Sequence, residues 1–287
     1  MGQSECFTPK SVEEAISLLS EYGEKAEIIA GGTDSLVRMK KGETPPDLFI
    51  NIGEIKGLDY IQYDDKDGLR IGARTSIFSI VNSSLIKEKF GVIAHAAATL
   101  GTPTIRRQAT IGGNLCNAAP SADMAPPLIV LGAQLKIKGS NGQKGMPVED
   151  FFTGPGQTRL NRNEILTEIQ IPNPMPNSNA VYLKQTRSRG ADLAIVGVAT
   201  MAVMDGEVIK DVKISLGAVA PTPIRARKAE EILKGKRPDD NLLDACGESA
   251  LLESSPIDDV RSSAAYRKKL IKVLVKRAIK KVTESEE

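Results

Sequence analysis

At 287 residues, with 41% hydrophobic and 26% charged side chains, the chain can form two globular domains, or one domain with a satellite. A formal net charge of +2 is too small to suggest a general polyanion binder, and 4% aromatics without Trp argue against the stacking platforms of single-stranded nucleic-acid binding. Cys6, Cys116 and Cys246 are too few and too scattered for a four-thiolate zinc or iron–sulfur site, or for a disulfide framework.

The first residues lack a basic and then apolar signal segment, and no apolar run reaches the length of a membrane span. A cytoplasmic protein is therefore expected. Ser11 and Glu14 form a capping box, and Val12, Ala15, Ile16 and Leu19 recur at helical spacing until Gly23. Residues 26–30 read as a buried strand, Gly31-Gly32 as a tight turn, and Thr33 or Asp34 as the cap of a second helix. Pro45-Pro46 ends that helix and 48–52 resumes extended structure, completing a β-α-β unit. Asp34 would repel a bound diphosphate, so its carboxylate is expected to turn back onto its own helix.

Residues 58–73 suggest a hairpin with its turn at 64–68, followed by short helices over 76–85 and 92–100. His95, the single histidine, lies in the second of these; a packing or surface role is expected, since one histidine supports neither a metal cluster nor a Ser-His-Asp hydrolase. Arg106 and Arg107 either neutralise phosphate charge or face a partner subunit or solvent. Next comes Thr110-Ile111-Gly112-Gly113-Asn114-Leu115-Cys116-Asn117, with Asp123 beyond it. A buried helix should begin near Pro126-Pro127, and strands are expected over 133–138, 144–148 and 164–171.

The proline-rich stretch 172–176 is the best domain boundary, giving 1–176 (subdomains 1–55 and 56–176) and 177–287. Beyond it, 181–186 is strand-like and carries Lys184, and 198–204 pairs with 208–216 around Asp205-Gly206. Helices are expected over 225–235, 241–253 and 263–282. The last holds eight Lys or Arg residues opposite an apolar stripe of Leu270, Leu274, Val275 and Ala278, the pattern of a solvated face on a packed terminal helix.

The two glycine runs carry the chemistry. Paired glycines let backbone N–H groups approach a bulky anion with no Cβ in the way. A strand leading through Gly31-Gly32 into a helix start is suited to phosphate. Thr110 adds a hydroxyl, and Asn114 and Asn117 add amides. Together the runs suggest two loops closing on one diphosphate.

The A-G-G-T-D-S-L run, the T-I-G-G-N-L-C-N-A run with its following Asp123, and the later Y-L-K-Q-T-R segment occur in this order. On these motifs the whole chain resembles the flavin-binding medium subunit of the molybdenum hydroxylases, with carbon monoxide dehydrogenase, nicotinate dehydrogenase and the middle part of xanthine dehydrogenase as relatives. The resemblance implies an α+β fold: a two-subdomain FAD-binding region of the PCMH (vanillyl-alcohol-oxidase-like) type, then a C-terminal α/β domain with a small antiparallel sheet and helices. It places Ile29, Ala30, Gly31, Gly32, Thr33, Asp34, Ser35 and Leu36 on the FAD diphosphate, with Thr110, Ile111, Gly112, Gly113 and Asn114 closing over the same cofactor. Asp123 would contact the polar chain of the flavin, and Leu100, Gly101, Leu166 and Lys184 would fall where relatives contact adenine or flavin. A cation at Lys184 would favour reduced flavin, although a surface lysine at a strand end fits the residue considered alone. No residue is expected to act as a catalytic base, and no metal site is expected.

The resemblance further implies an electron-transfer subunit. A small [2Fe–2S] subunit would deliver electrons drained from a large molybdenum-cofactor subunit, in a dimer of heterotrimers, and NAD, a quinone, a ferredoxin or oxygen would accept them. Leu193, after Arg189-Gly190-Ala191-Asp192, stands where carbon monoxide dehydrogenase has an aromatic residue near the flavin, which puts an aromatic gate in doubt. The cysteine-rich insertion of the benzoyl-CoA-reducing branch is missing, which excludes its additional cluster. A free-standing flavin oxidase and a flavin-free structural or assembly subunit are the rival expectations.

Overall fold

The computed structural model describes residues 4–188 and 191–284. The N-terminal unit is a small parallel sheet of β1 (Glu5–Phe7), β2 (Ala26–Ile29) and β3 (Leu48–Asn51), ordered β1-β3-β2. Helix α1 (Val12–Tyr22) begins as the capping box requires: Ser11 Oγ accepts the N–H of Glu14 at 3.1 Å. Glu14 reaches one residue further back than expected, accepting the N–H of Lys10 at 2.7 Å. The helix buries Ala15, Ile16 and Leu19 against Leu48 and Ile50, and Leu58 and Ile165 from the next unit complete that core. Helix α2 (Ser35–Lys40) follows the first glycine run. The edge strand β1 was not anticipated; its three residues are all exposed, so no apolar pattern marks it.

The second unit is a five-stranded antiparallel sheet ordered β4-β5-β10-β6-β7. Its members are β4 (Ile61–Asp64), β5 (Gly68–Gly72), β6 (Gln134–Gly139), β7 (Gly142–Pro147) and, after the small pair β8 (Phe152–Gly154) and β9 (Gln157–Thr158), β10 (Glu164–Ile171). Between β5 and β6 run six short helices: α3 (Ile77–Asn82), α4 (Ser84–Lys89), α5 (Gly91–Thr99), α6 (Pro103–Gln108), α7 (Ile111–Cys116) and α8 (Ala125–Val130). The expected helix over 76–85 divides because Ser83 caps a new one, its Oγ accepting the N–H of Ile86. Every residue of α8 is buried, as expected from a helix apolar on all sides.

The C-terminal unit is an antiparallel sheet of β11 (Ser178–Gln185), β12 (Val196–Asp205), β13 (Val208–Gly217) and β14 (Ile224–Arg225), backed by α9 (Arg227–Leu233), α10 (Asp240–Leu252) and α11 (Ala264–Thr283). Strand β12 joins two cores. Ala199, Met201 and Val203 pack into the core of the second unit, whereas Val196, Val198 and Ala202 pack against the C-terminal helices. Burial on both faces explains its nearly continuous apolar sequence. Three of the eight basic residues of α11 pair with α10, Lys272 with Glu248, Lys276 with Asp244 and Lys280 with Asp240. None of the described helices is long and apolar enough to cross a membrane.

Arg267, 3% exposed, ties α11 to the sheet. Its guanidinium donates to the carbonyls of Ile195 and Ala218, at 2.6 and 2.8 Å, and to Asp259 Oδ1 at 2.7 Å. Desolvation works to raise the Asp259 carboxyl, but the Arg261 N–H, the Arg267 guanidinium and the Ser262 N–H outweigh it and hold it down at about 2. Because the folded value lies below the ordinary carboxylate value, the stabilisation is complete above the unfolded pKa of about 3.9 and disappears as pH falls through the folded value. Asp259→Asn should therefore lower the melting temperature at neutral pH, with a cost on the order of 2 kcal/mol. Thermal melts at decreasing pH should show the two proteins converging in acid; a difference independent of pH would contradict this assignment.

Candidate functional site

The first glycine run leaves β2 at Ile29 and turns through Gly32, whose φ of +67° favours glycine. At Gly31 the constraint is contact: a Cβ would lie 1.8 Å from the carbonyl oxygen of Gln108, the last residue of α6. This contact presses the first run against the segment that enters the second. The N–H groups of Gly31, Gly32, Thr33, Asp34 and Ser35 have no acceptor among the described residues. Five successive unspent donors are the kind of backbone arrangement that suits an anion.

Asp34 departs from expectation. It occupies the N-cap position of α2 with αR backbone angles, its side chain makes no capping bond, and the residue is exposed. The carboxylate avoids the cradle by facing solvent instead of turning onto the helix. Ser35 Oγ donates to Glu27 Oε1 at 2.7 Å, leaving only its N–H for a ligand. Arg38 donates to Glu27 Oε1 at 2.6 Å and to Asn117 Oδ1 at 3.1 Å, so Asn117 braces the two runs. Leu36 is 46% exposed beside the turn.

The second run is a helix instead of an open loop. The N–H groups of Ile111 and Gly112 donate to the carbonyls of Thr75 and Ala73, at 3.0 and 2.8 Å. Those of Gly113 and Asn114 donate to Thr110 Oγ1 and Thr110 O, at 3.0 and 2.9 Å. The paired glycines therefore do not present amides to an anion. Gly112 allows close packing, since its Cβ would sit 2.6 Å from the Ala73 carbonyl oxygen. What the run retains for a ligand is the N–H and hydroxyl proton of Thr110 and the side chain of Asn114, whose Oδ1 is buried without a partner. Cys116 is no nucleophile, its thiol pushed up to about 12 by burial.

The turn at Leu100-Gly101 follows α5 and is held by two cations. Arg106 Nη1 donates to the carbonyls of Ala98, Leu100 and Gly101, and Lys184 Nζ donates to that of Thr99 at 2.9 Å. Arg107 stacks on Phe78, 4.1 Å from the ring centre. Arg106 is thus tied to the turn, and Arg107 to the ring of Phe78. Leu166 is 3% exposed in the main core, on a strand packed against α7. His95 is exposed on α5, and Leu193 is 50% exposed. Arg189 and Gly190 lie outside the described residues.

Lys184 is not the surface lysine that its strand-end position allows. Its side chain is 5% exposed and that of Asp123 4%, and Nζ lies 2.8 Å from Asp123 Oδ2. Tyr182, from the same face of β11, donates its hydroxyl to Asp123 Oδ1 at 2.8 Å. Burial raises the Asp123 carboxyl above the ordinary range, opposed by the Lys184 charge and by hydrogen bonds from Lys184 and Tyr182. Burial and the Asp123 charge push the Tyr182 hydroxyl well above its usual value, so it remains a donor. The ammonium has three donors and two protein acceptors among the described residues, which leaves one for a ligand. Tyr182, Gln108 and Arg106 are the residues that motif reading missed in these roles. Gly197, in the interior of β12, was the available signal for the first, because a strand glycine often marks a close approach.

The arrangement suits a long, polar, anionic ligand: a backbone cradle, an orphaned amide oxygen and a buried ammonium. They are linked through the contact of Gly31 with Gln108, the contacts of Arg106 with Leu100 and the contact of Lys184 with Thr99. The clefts around the β6–β7 hairpin, such as the one of about 100 Å³ at Gly139, Ser140 and Glu164, lie outside this cluster.

Residues 2–174 match the model of the FAD binding domain in molybdopterin dehydrogenase, and residues 181–282 match the CO dehydrogenase flavoprotein C-terminal domain. The glyceraldehyde dehydrogenase medium chain of Sulfolobus acidocaldarius is 32% identical, over 95% of this chain and 96% of its own length. The xanthine dehydrogenase FAD-binding subunit of Escherichia coli O157:H7 is 30% identical, over 94% and 92%. In three dimensions the chain is similar to a carbon monoxide dehydrogenase structure from Hydrogenophaga pseudoflava, with a TM-score of 0.93 and 32% identity over 96% of each chain. With both halves matched and the fold shared, the chain belongs to the FAD-binding medium subunits of the molybdenum hydroxylases.

Proposed function

We propose that this chain carries electrons from a small [2Fe–2S] subunit, itself reduced by a large molybdenum-cofactor subunit, to an external acceptor. The acceptor belongs to one of four classes: NAD, a quinone, a ferredoxin or oxygen. The complex would be a dimer of heterotrimers, with the FAD-binding domain at 1–176 (subdomains 1–55 and 56–176) and the C-terminal domain at 177–287. The observation that carries this reading is the run of unspent N–H groups from Gly31 to Ser35, seated against the second run. Bound FAD would supply the redox chemistry.

The chain's own residues bind and tune. The first run would hold the diphosphate through its backbone, while Ile29, Ala30 and Leu36 flank it. Thr110 and Asn114 would add side-chain bonds, and Ile111, Gly112 and Gly113 would serve by holding those two residues in place. Leu100 and Gly101 would border the cofactor from their cation-held turn. Lys184 would place positive charge beside the flavin and raise its potential, with Asp123 as counter-ion and polar-chain contact. Leu166 would act only by packing beneath the site.

A Cβ at residue 31 meets a backbone oxygen, so rotation of a side chain cannot relieve the clash. Gly31→Ala should weaken FAD binding roughly ten- to hundredfold, the equivalent of one or two charge-assisted hydrogen bonds. Gly113→Ala, which meets only Thr110 Oγ1, should weaken it less. Flavin content after purification, with circular dichroism to confirm folding, checks the order; equal occupancy in both variants and the wild type would contradict the cradle.

Removing one partner of a buried ion pair costs about 3–5 kcal/mol, so Lys184→Ala should lower stability markedly. Lys184→Gln retains a donor for Asp123 and should keep FAD, with a lower reduction potential. An unchanged potential in a flavin-loaded variant would remove Lys184 from the flavin.

The isolated chain should bind FAD and hydroxylate no organic substrate. Co-expression with small iron–sulfur and large molybdenum subunits should restore substrate-driven flavin reduction, read from bleaching of the flavin band. Turnover of an organic substrate by the chain alone would favour a free-standing oxidase.

A further inference from the structure

We propose that Tyr182 is a positioning residue of the flavin site: its hydroxyl, admitted by the missing side chain of Gly197, clamps Asp123 so that the carboxylate holds the Lys184 ammonium in one place. This rests on the reading that Lys184 lies beside FAD. Tyr182 is 2% exposed and its ring packs in the main core, with Ala199 its cross-strand neighbour. A buried phenol needs a hydrogen-bond acceptor, and this one finds Asp123 Oδ1 at 2.8 Å. The hydroxyl does not ionise near neutrality, so it remains the donor to the ionised Asp123.

Gly197 gives the second, independent observation. It lies near the start of β12, paired across the sheet with Lys184, and glycine is disfavoured in strands unless a close approach requires it. A Cβ built there would stand 2.6 Å from Tyr182 Oη, with the ring carbons at 3.2 and 3.3 Å. The space in β12 is therefore occupied by the hydroxyl that reaches Asp123.

The clamp spans the two domains. Tyr182 and Lys184 come from β11, whereas Asp123 precedes α8 and the Thr99 carbonyl ends α5. One Asp123 oxygen is taken by the phenol and the other by the ammonium, so the carboxylate cannot rotate without breaking one bond. Lys184 and Tyr182 are the charged and titratable groups on Asp123. Helix α5 offers it no side chain in hydrogen-bond contact, only the Thr99 carbonyl shared through Lys184, and β12 presents Gly197. Asp192, beyond β11, also feels the Lys184 charge, and Arg106 is committed to the carbonyls around the same turn.

The consequence is specific to the flavin. While Asp123 is ionised, it offsets the charge of Lys184; once protonated, it leaves the ammonium uncompensated and reduced flavin is favoured. Loss of the phenol donor should let Asp123 take up its proton at higher pH. The test is the midpoint potential of bound FAD as a function of pH, in the full-length, flavin-loaded chain. Tyr182→Phe, which keeps the ring, should move the bend in that curve to higher pH by about one unit, the equivalent of one hydrogen bond to a carboxylate. Gly197→Ala keeps the hydroxyl but displaces it, and should move the bend in the same direction. Lys184→Gln tests the underlying reading and should displace the whole curve. Superimposable curves for wild type, Tyr182→Phe and Gly197→Ala, with Lys184→Gln displaced, would overturn the clamp and leave the reading standing. Superposition of Lys184→Gln as well would overturn both.

Discussion

The carbonyl oxygen of Gln108 occupies the space where a side chain at residue 31 would begin, 1.8 Å from an ideal Cβ. Two segments nearly eighty residues apart in sequence therefore meet backbone to backbone, and only glycine permits it. Around this contact the site divides its work. The first run keeps its amides unspent, while the second commits its amides to Ala73, Thr75 and Thr110 and becomes a rigid wall. A donor row that is already in place needs little ordering when an anion arrives, which improves affinity without further contacts.

The second organising element is the polar seam between the domains. Strand β12 lies between two apolar cores, and its neighbour β11 brings polar side chains to the domain junction. It does so with Tyr182 and Lys184, two residues apart and therefore on one face. Burying an ion pair to this depth is not a good way to stabilise a fold, since desolvation offsets most of the Coulomb attraction. Its place at a junction bordered by the cation-held turn at Leu100-Gly101 accords with the proposed task of placing one positive charge.

Much of the fold was legible in the sequence because the physical signals were local. The Ser11 cap, the Pro172 to Pro176 break and the Asp205-Gly206 turn each determine structure through their immediate neighbours. The second glycine run was misread for an equally physical reason. Glycine costs about 1 kcal/mol in a helix, so T-I-G-G reads as a loop. What offsets that cost is a Thr110 cap and contact with Ala73, and the second of these is not visible along the chain. Lys184 was ambiguous because its counter-ion lies 61 residues away. Tyr182 was overlooked because it alternates in a strand like any core residue, and only Gly197 opposite marked the approach. Asp34 shows the converse: the expected electrostatic conflict is real, and exposure resolves it where a cap was anticipated.

The division of work between the two runs is tested most directly by amide hydrogen exchange, resolved to single residues, on the protein with and without FAD. The account predicts rapid exchange at Gly31, Gly32, Thr33, Asp34 and Ser35 in the flavin-free chain and strong protection there once FAD binds. The amides of Ile111, Gly112, Gly113 and Asn114 should be protected in both states, because their acceptors belong to the protein. Rapid exchange of the second run without FAD, together with unaltered exchange of the first run on binding, would contradict it.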